Sequence, residues 1–169
     1  MEFIDLKAQY KAYRADIDAA MAKVLAHGRF IMGPEIAELE GKLAEYTGVK
    51  YCLSVASGTN SLEIALRALG VGPGDEVISV PFTWISTSEV ISLVGAKPVW
   101  VDIDPVTFNM DVEKLEAAIT SRTKAILPVS LFGQMADYER IAEIAAAHGN
   151  IPVVEDGAQS FGATRNGSR

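Results

Sequence analysis

The sequence predicts an α/β fold, a mostly parallel sheet with helices on both faces. Three observations lead there. From about residue 50, short apolar runs alternate with segments of helical period. Those runs are continuously apolar, as strands covered on both faces are. Glycines stand where the helices must stop, at Gly70, Gly95 and Gly149.

The expected strands are Tyr51–Val55, Glu76–Val80, Pro98–Val101, Ala125–Val129 and Ile151–Val154. Helices are expected near residues 60–69, 85–94, 111–119 and 137–147, the last two capped by Asp111 and Asp137. Residues 1–50 read as a helical segment. Ile4, Tyr10, Tyr13, Ile17, Met21, Val24 and Leu25 recur at helical spacing, and Gly28 is the stop. Gly33-Pro34 opens a second helix, with proline in its first turn, and Gly48 closes it. Residues 51–169 form the strand-and-helix part.

Composition excludes several classes. The 169 residues are 49% apolar and 22% charged, values of a globular chain rather than a disordered or collagen-like one. Fifteen Lys and Arg against 22 Asp and Glu give a net charge of −7, which disfavours nucleic acid or an anionic membrane as main partner. No apolar run is long enough to span a bilayer, and the charged, amphipathic N-terminus does not read as a signal peptide. Cys52 is a single cysteine, expected as a small buried core residue of the first strand, so the chain reads as soluble and cytoplasmic. In that compartment the Asn166-Gly167-Ser168 glycosylation triplet has no role, and His27 and His148 match no catalytic pattern.

In parallel α/β sheets ligands bind at the carboxyl ends of the strands. After the first expected strand comes Ser57-Gly58-Thr59-Asn60 and then a helix. Gly58 permits close backbone approach, and the N–H groups of Thr59 and Asn60 sit at a positive helix end, suited to a phosphate. The same residues also read as a capped helix, because Asn60 and Glu63 have capping-box spacing. Gly70-x-Gly72-x-Gly74 follows a helix and precedes a strand, the reverse of a phosphate loop, and is a turn.

After the second strand, Phe82 and Trp84 are either core or a flat surface for a planar ligand. Asp102-x-Asp104 matches the metal-holding pair of some glycosyltransferases. With Pro105 and a capped helix following, a structural turn is the better reading, and no metal site is expected. The fourth strand end, near Ser130 and Gly133, offers hydroxyl and backbone donors. After the fifth, Glu155-Asp156 emerge from an apolar run. They are a cap or ion pair, or a fixed negative charge aimed at a ligand cation. Asp156 and Gln159, three apart around a turn, can reach one planar ring.

The order of these signals resembles the DegT/DnrJ/EryC1/StrS family of pyridoxal-phosphate-dependent sugar aminotransferases, which have the aspartate aminotransferase fold (fold type I). The resemblance runs through FIDLKAQY, GRFIMGPEIAELE, GVKYCLSVASGTNSL, GVGPGDEVI, LVGAKPVWVDID, SRTKAILPVSLFGQ and IPVVEDGAQSFGA. It implies that Gly58, Thr59 and Asn60 hold the phosphate of pyridoxal 5'-phosphate (PLP) and that Trp84 stacks on the pyridine ring. Asp156 is then the partner of the pyridinium nitrogen, and Gln159 bonds the phenolic oxygen. The implied reaction moves an amino group from glutamate to a nucleotide-linked keto sugar, including UDP-linked keto-uronic acids of bacterial surface polysaccharides. The implied assembly is a homodimer.

The family's Schiff-base lysine lies past the EDxAQ motif, in an S-F-x-x-x-K segment, and this sequence reaches Arg169 without one. None of its lysines, Lys7, Lys50, Lys97 and Lys124 among them, stands in that context. The expectation is an N-terminal part of the large domain, with the rest of that domain and the small domain outside it, and no transamination by these residues alone. The alternatives are a sugar 3-dehydratase of the same family, in which histidine replaces the lysine, or an inactive fragment.

Overall fold

The computed structural model describes residues 4–167. Phe3, in the opening FIDLKAQY motif, and Ser168, in the Asn166 triplet, lie outside them. The chain divides into two compact units that part between Ser54 and Val55.

The first unit holds two helices with legible ends. Asp5 Oδ1 accepts from the Ala8 N–H at 2.9 Å and starts α1 (Leu6–His27). Gly28 ends it at φ 66°, a left-handed conformation that a side chain resists. α2 (Pro34–Thr47) starts with proline in its first turn and ends at Gly48, φ 73°. The apolar stripe foreseen on α1 exists, but it is open: neither helix has a fully buried side chain, and Leu25 is 70% exposed.

The second unit is a three-stranded parallel sheet, order β2-β1-β3, formed by β1 (Glu76–Ser79), β2 (Lys97–Trp100) and β3 (Thr123–Ile126). Around it stand α3 (Gly58–Ala68), α4 (Ser86–Leu93), α5 (Val112–Ala118) and α6 (Tyr138–Ala147). Successive strand residues point to opposite faces. Val77 and Ala125 therefore join Leu66, Val90 and Ile91 of α3 and α4 on one side. Ile78 and Ile126 join Leu115, Ile141 and Ile144 of α5 and α6 on the other. The sheet is covered on both faces, as its apolar runs foretold. Leu66 is fully buried, so Leu66→Ala costs about 2–5 kcal/mol.

Two expected strands are corrected. Tyr51–Val55 has no ladder partner among the described residues, and Tyr51 and Leu53 are 74% and 82% exposed. Cys52, expected in the core, is half-buried there. Ile151–Val154 does run parallel to the chain of β3, through bridges Ile126–Val153 and Val129–Asp156. Between those bridges stands Pro128, which has no N–H to give, so the ladder is interrupted.

The glycine-rich segment is a turn, with the Gly72 N–H bonded to Asp75 Oδ2 at 3.0 Å. Asp104 Oδ1 accepts from the N–H groups of Val106 and Thr107, which spends that carboxylate on a turn and holds it below the usual carboxylate range. Among the described residues no helix is long and apolar enough to cross a membrane.

Candidate active site

A cavity of about 460 Å³ opens at the carboxyl ends of the strands, in the second unit. Five of the residues singled out in the sequence line it: Gly58, Thr59, Trp84, Asp156 and Gln159. They come from the start of α3 and from two separate loops, so the fold gathers what the sequence scatters over a hundred residues.

The N-terminus of α3 forms one wall. Its cap is Ser57, whose Oγ accepts the Asn60 N–H at 3.2 Å and approaches Asn60 Oδ1 at 3.3 Å. This differs from the Asn60–Glu63 capping box, and the Asn60 N–H is engaged rather than open. Asn60 itself is not among the cavity-lining residues. The open donors of the first turn are those of Gly58 and Thr59. A Cβ built on Gly58 would meet nothing within 4 Å, so the backbone there faces free space.

Thr59 Oγ1 donates to Ser86 Oγ at 3.1 Å. That bond joins the first turn of α3 to the first turn of α4, so two positive helix ends meet at the cavity wall. Ser86 was not singled out in the sequence. Its signal is small, a serine two residues beyond the exposed tryptophan.

Trp84 is 74% exposed and lines the cavity, which rules out the core reading for it. Phe82 does not line the cavity. It packs against Phe108 and Phe132 with ring centroids 5.9 and 6.4 Å away.

Asp156 is 8% exposed. Its main chain is fixed between Pro128 O, at 3.0 Å from its N–H, and the Ser130 N–H, at 3.1 Å from its carbonyl. Its Oδ2 accepts from Thr87 Oγ1 at 2.8 Å and its Oδ1 from the Ala158 N–H at 3.3 Å. Among the described residues no Lys, Arg or His pairs with it. A nearly buried carboxylate without a cation is an unbalanced charge. Glu155 beside it accepts from Ser130 Oγ at 2.8 Å, and Ser130 Oγ lies 2.9 Å from the Tyr138 hydroxyl. Burial pushes that hydroxyl above its ordinary pKa, and the neighbouring Glu155 charge adds to it. Gln159 Oε1 accepts the Phe132 N–H at 2.8 Å. What Gln159 still offers the cavity is therefore its amide donor.

The N-terminal ends of α3 and α4, an exposed indole and a carboxylate without a cation among the described residues thus stand around one cavity on an α/β scaffold. The chain belongs to the DegT/DnrJ/EryC1/StrS aminotransferase family, whose pattern matches residues 11–169.

Over all 169 residues the chain is 58% identical to a UDP-2-acetamido-2-deoxy-3-oxo-D-glucuronate aminotransferase of Pseudomonas aeruginosa, of which it covers 47%. The crystal structure of DesV from S. venezuelae superposes with a TM-score of 0.94 at 42% identity, over 99% of this chain and 46% of that one. The structure of ntda from Bacillus subtilis with bound cofactor PMP superposes with a TM-score of 0.88 at 38% identity, over 92% of this chain and 36% of that one. The chain thus spans less than half the length of these relatives.

Proposed function

We propose that the protein containing this chain is a PLP-dependent aminotransferase that moves an amino group, with glutamate as donor, onto a nucleotide-linked keto sugar. The relative at 58% identity favours a UDP-linked 3-oxo uronic acid as acceptor, and a role in surface-polysaccharide synthesis is the proposal's own extension of that. A homodimer working in the cytoplasm is part of the same proposal. The observation that carries it is Asp156, 8% exposed, unpaired by any cation among the described residues, at the wall of a cavity that also holds Trp84.

The residues present fit the cofactor. Thr59 and Gly58 offer first-turn N–H groups, and the open space before Gly58 admits a phosphate oxygen close to the backbone. Asn60 does not line the cavity and its N–H is engaged by Ser57, so its part in this proposal is to hold the first turn of α3 that presents Gly58 and Thr59. Trp84 supplies a flat face for the ring. Asp156 supplies the negative charge that holds a proton on a ring nitrogen. Gln159 supplies a donor to the phenolic oxygen. The bound cofactor would supply an electron sink for the carbon that loses its proton. The proposal includes a lysine outside residues 1–169 that would carry the cofactor and move that proton.

The test is an intact mass of the protein as its gene encodes it, after incubation with PLP and borohydride reduction. One pyridoxyl group on a chain longer than 169 residues is the expected result. A chain with no specific adduct removes transamination as its activity. Turnover of glutamate with a UDP-linked 3-oxo uronic acid then separates an aminotransferase from a 3-dehydratase.

A further inference from the structure

Two hydroxyls, from Thr83 in the loop that carries Trp84 and from Thr87 in the first turn of α4, form a chain that ends on Asp156. Thr87 Oγ1 donates to Asp156 Oδ2 at 2.8 Å, and Thr83 Oγ1 stands 3.3 Å from Thr87 Oγ1. A carboxylate has no hydrogen to give. The Thr87 proton therefore goes to Asp156, and the Thr87 oxygen is left to accept from Thr83. The chain has one direction, Thr83 to Thr87 to Asp156, and each donor strengthens the next.

The placement leaves the carboxylate little freedom. Thr87 is 1% exposed, so water is a poor substitute for its hydroxyl. The main chain of Asp156 is already fixed on both sides by Pro128 and Ser130. What remains is rotation of the carboxylate, and Thr87 and the Ala158 N–H stop it at one oxygen each. Packing alone asks only for a β-branched side chain at position 87, and valine would serve. The hydroxyl instead reaches a residue 69 positions away.

We propose that Thr87, backed by Thr83, is a positioning residue that holds the Asp156 carboxylate in register with the ring presented to Trp84. The short stretch from Trp84 to Thr87, the end of a loop and the first turn of α4, thereby orders both the face and the edge of the ligand. Trp84 fixes the plane, and Thr87 fixes the charge that meets the ring nitrogen. This rests on the cofactor reading above, and the experiment separates the two.

The protein as its gene encodes it is compared with Thr87→Val, Thr87→Ser, Thr83→Val and Asp156→Ala. The readouts are the PLP dissociation constant by equilibrium dialysis and the chemical shift of the pyridine nitrogen in nitrogen-15-labelled PLP. Loss of one hydrogen bond to a charged group predicts that Thr87→Val binds PLP about tenfold more weakly. Its nitrogen signal moves toward the unprotonated position, and Thr87→Ser returns both values to those of the wild type. Thr83→Val, which removes only the outer hydroxyl, shifts both in the same direction by less, and it carries the test if Thr87→Val does not fold. Wild-type affinity and nitrogen shift in Thr87→Val, or in Thr83→Val where that variant carries the test, overturn the inference. So does Thr87→Ser behaving as Thr87→Val, because packing would then explain both. If Asp156→Ala weakens PLP while the threonine variants do not, only the positioning role fails. If the wild type binds no PLP, the cofactor reading fails and this inference with it.

Discussion

The guanidinium of Arg122 donates to Glu76 Oε1 at 2.6 Å, although Glu76 begins a sheet strand and is 2% exposed. Thr120 Oγ1 donates to the other carboxylate oxygen at 2.6 Å, and Lys97 stands 3.5 Å from Oε1. Glu76 thus ties the start of β1 to the turn before β3 and to β2. The Thr120 hydrogen bond first, then Arg122, lowers the Glu76 carboxyl from 4.5 to about 2. A group whose pKa is lower in the folded state stabilises above its unfolded pKa, and that contribution fades as pH falls toward the folded value. Glu76→Gln should therefore melt several degrees below the wild type at neutral pH. The gap should narrow from about pH 4.5 down to about pH 2, as thermal unfolding across that range will show. A gap independent of pH would mean that shape, not charge, holds this corner.

Asn109 is a second clamp, and it is uncharged. Its Nδ2 donates to Gln134 O at 3.1 Å and Met135 O at 3.2 Å, while its Oδ1 accepts the Leu131 N–H at 3.1 Å. At 4% exposure it fastens the loop after β2 to the loop after β3. Asn109→Ala removes the partner of one buried backbone N–H and two part-buried carbonyls, so about 1–3 kcal/mol of stability should be lost. Urea unfolding measures the loss, and hydrogen exchange should speed up at residues 130–136 more than in α3. Uniform acceleration would argue against a local clamp.

These contacts mark the boundary of what the sequence discloses. Gly28 and Gly48 were legible as helix stops, and Asp111 and Asp137 as caps, because each acts within its own turn. That Trp84, Asp156 and Gln159 would share one cavity was legible from their place after the apolar runs. The Ser57 cap was hidden behind the Asn60–Glu63 spacing, since the two patterns overlap within residues 57–63. The end of β3 was misplaced because Pro128 reads as apolar but cannot donate. Thr87 was invisible because its partner is 69 residues away, and only the folded sheet sets them 2.8 Å apart.

The segment Tyr51–Val55 has a strand's composition and no ladder partner among the described residues, with Leu53 82% exposed. Exposed apolar strands associate. Residues 1–169 produced alone should form oligomers that bind a hydrophobic dye, and Leu53→Asp should shift them toward monomer on size exclusion. In the protein as its gene encodes it, Leu53→Asp should instead lower the melting temperature if that segment is covered there. The same substitution then has opposite effects in the two contexts. A soluble, dye-free monomer from residues 1–169 would show that this apolar segment is tolerated in water.

Gln159 separates structure from ligand binding with two substitutions. Its Oε1 accepts the Phe132 N–H at 2.8 Å, at a residue whose φ of 55° needs that support. Gln159→Glu keeps an acceptor for Phe132 but replaces the amide donor with a negative oxygen, beside Asp156 and Glu155. Stability should stay within about 0.5 kcal/mol of wild type, while PLP affinity falls about tenfold or more through the lost donor and the added like charge. Gln159→Leu removes both groups, so it should lose stability by about 1–3 kcal/mol as well as affinity. Calorimetric melting and PLP dialysis on the two variants read the pair of effects. Unchanged PLP affinity in Gln159→Glu would take Gln159 out of the cofactor site and leave it only the support of Phe132.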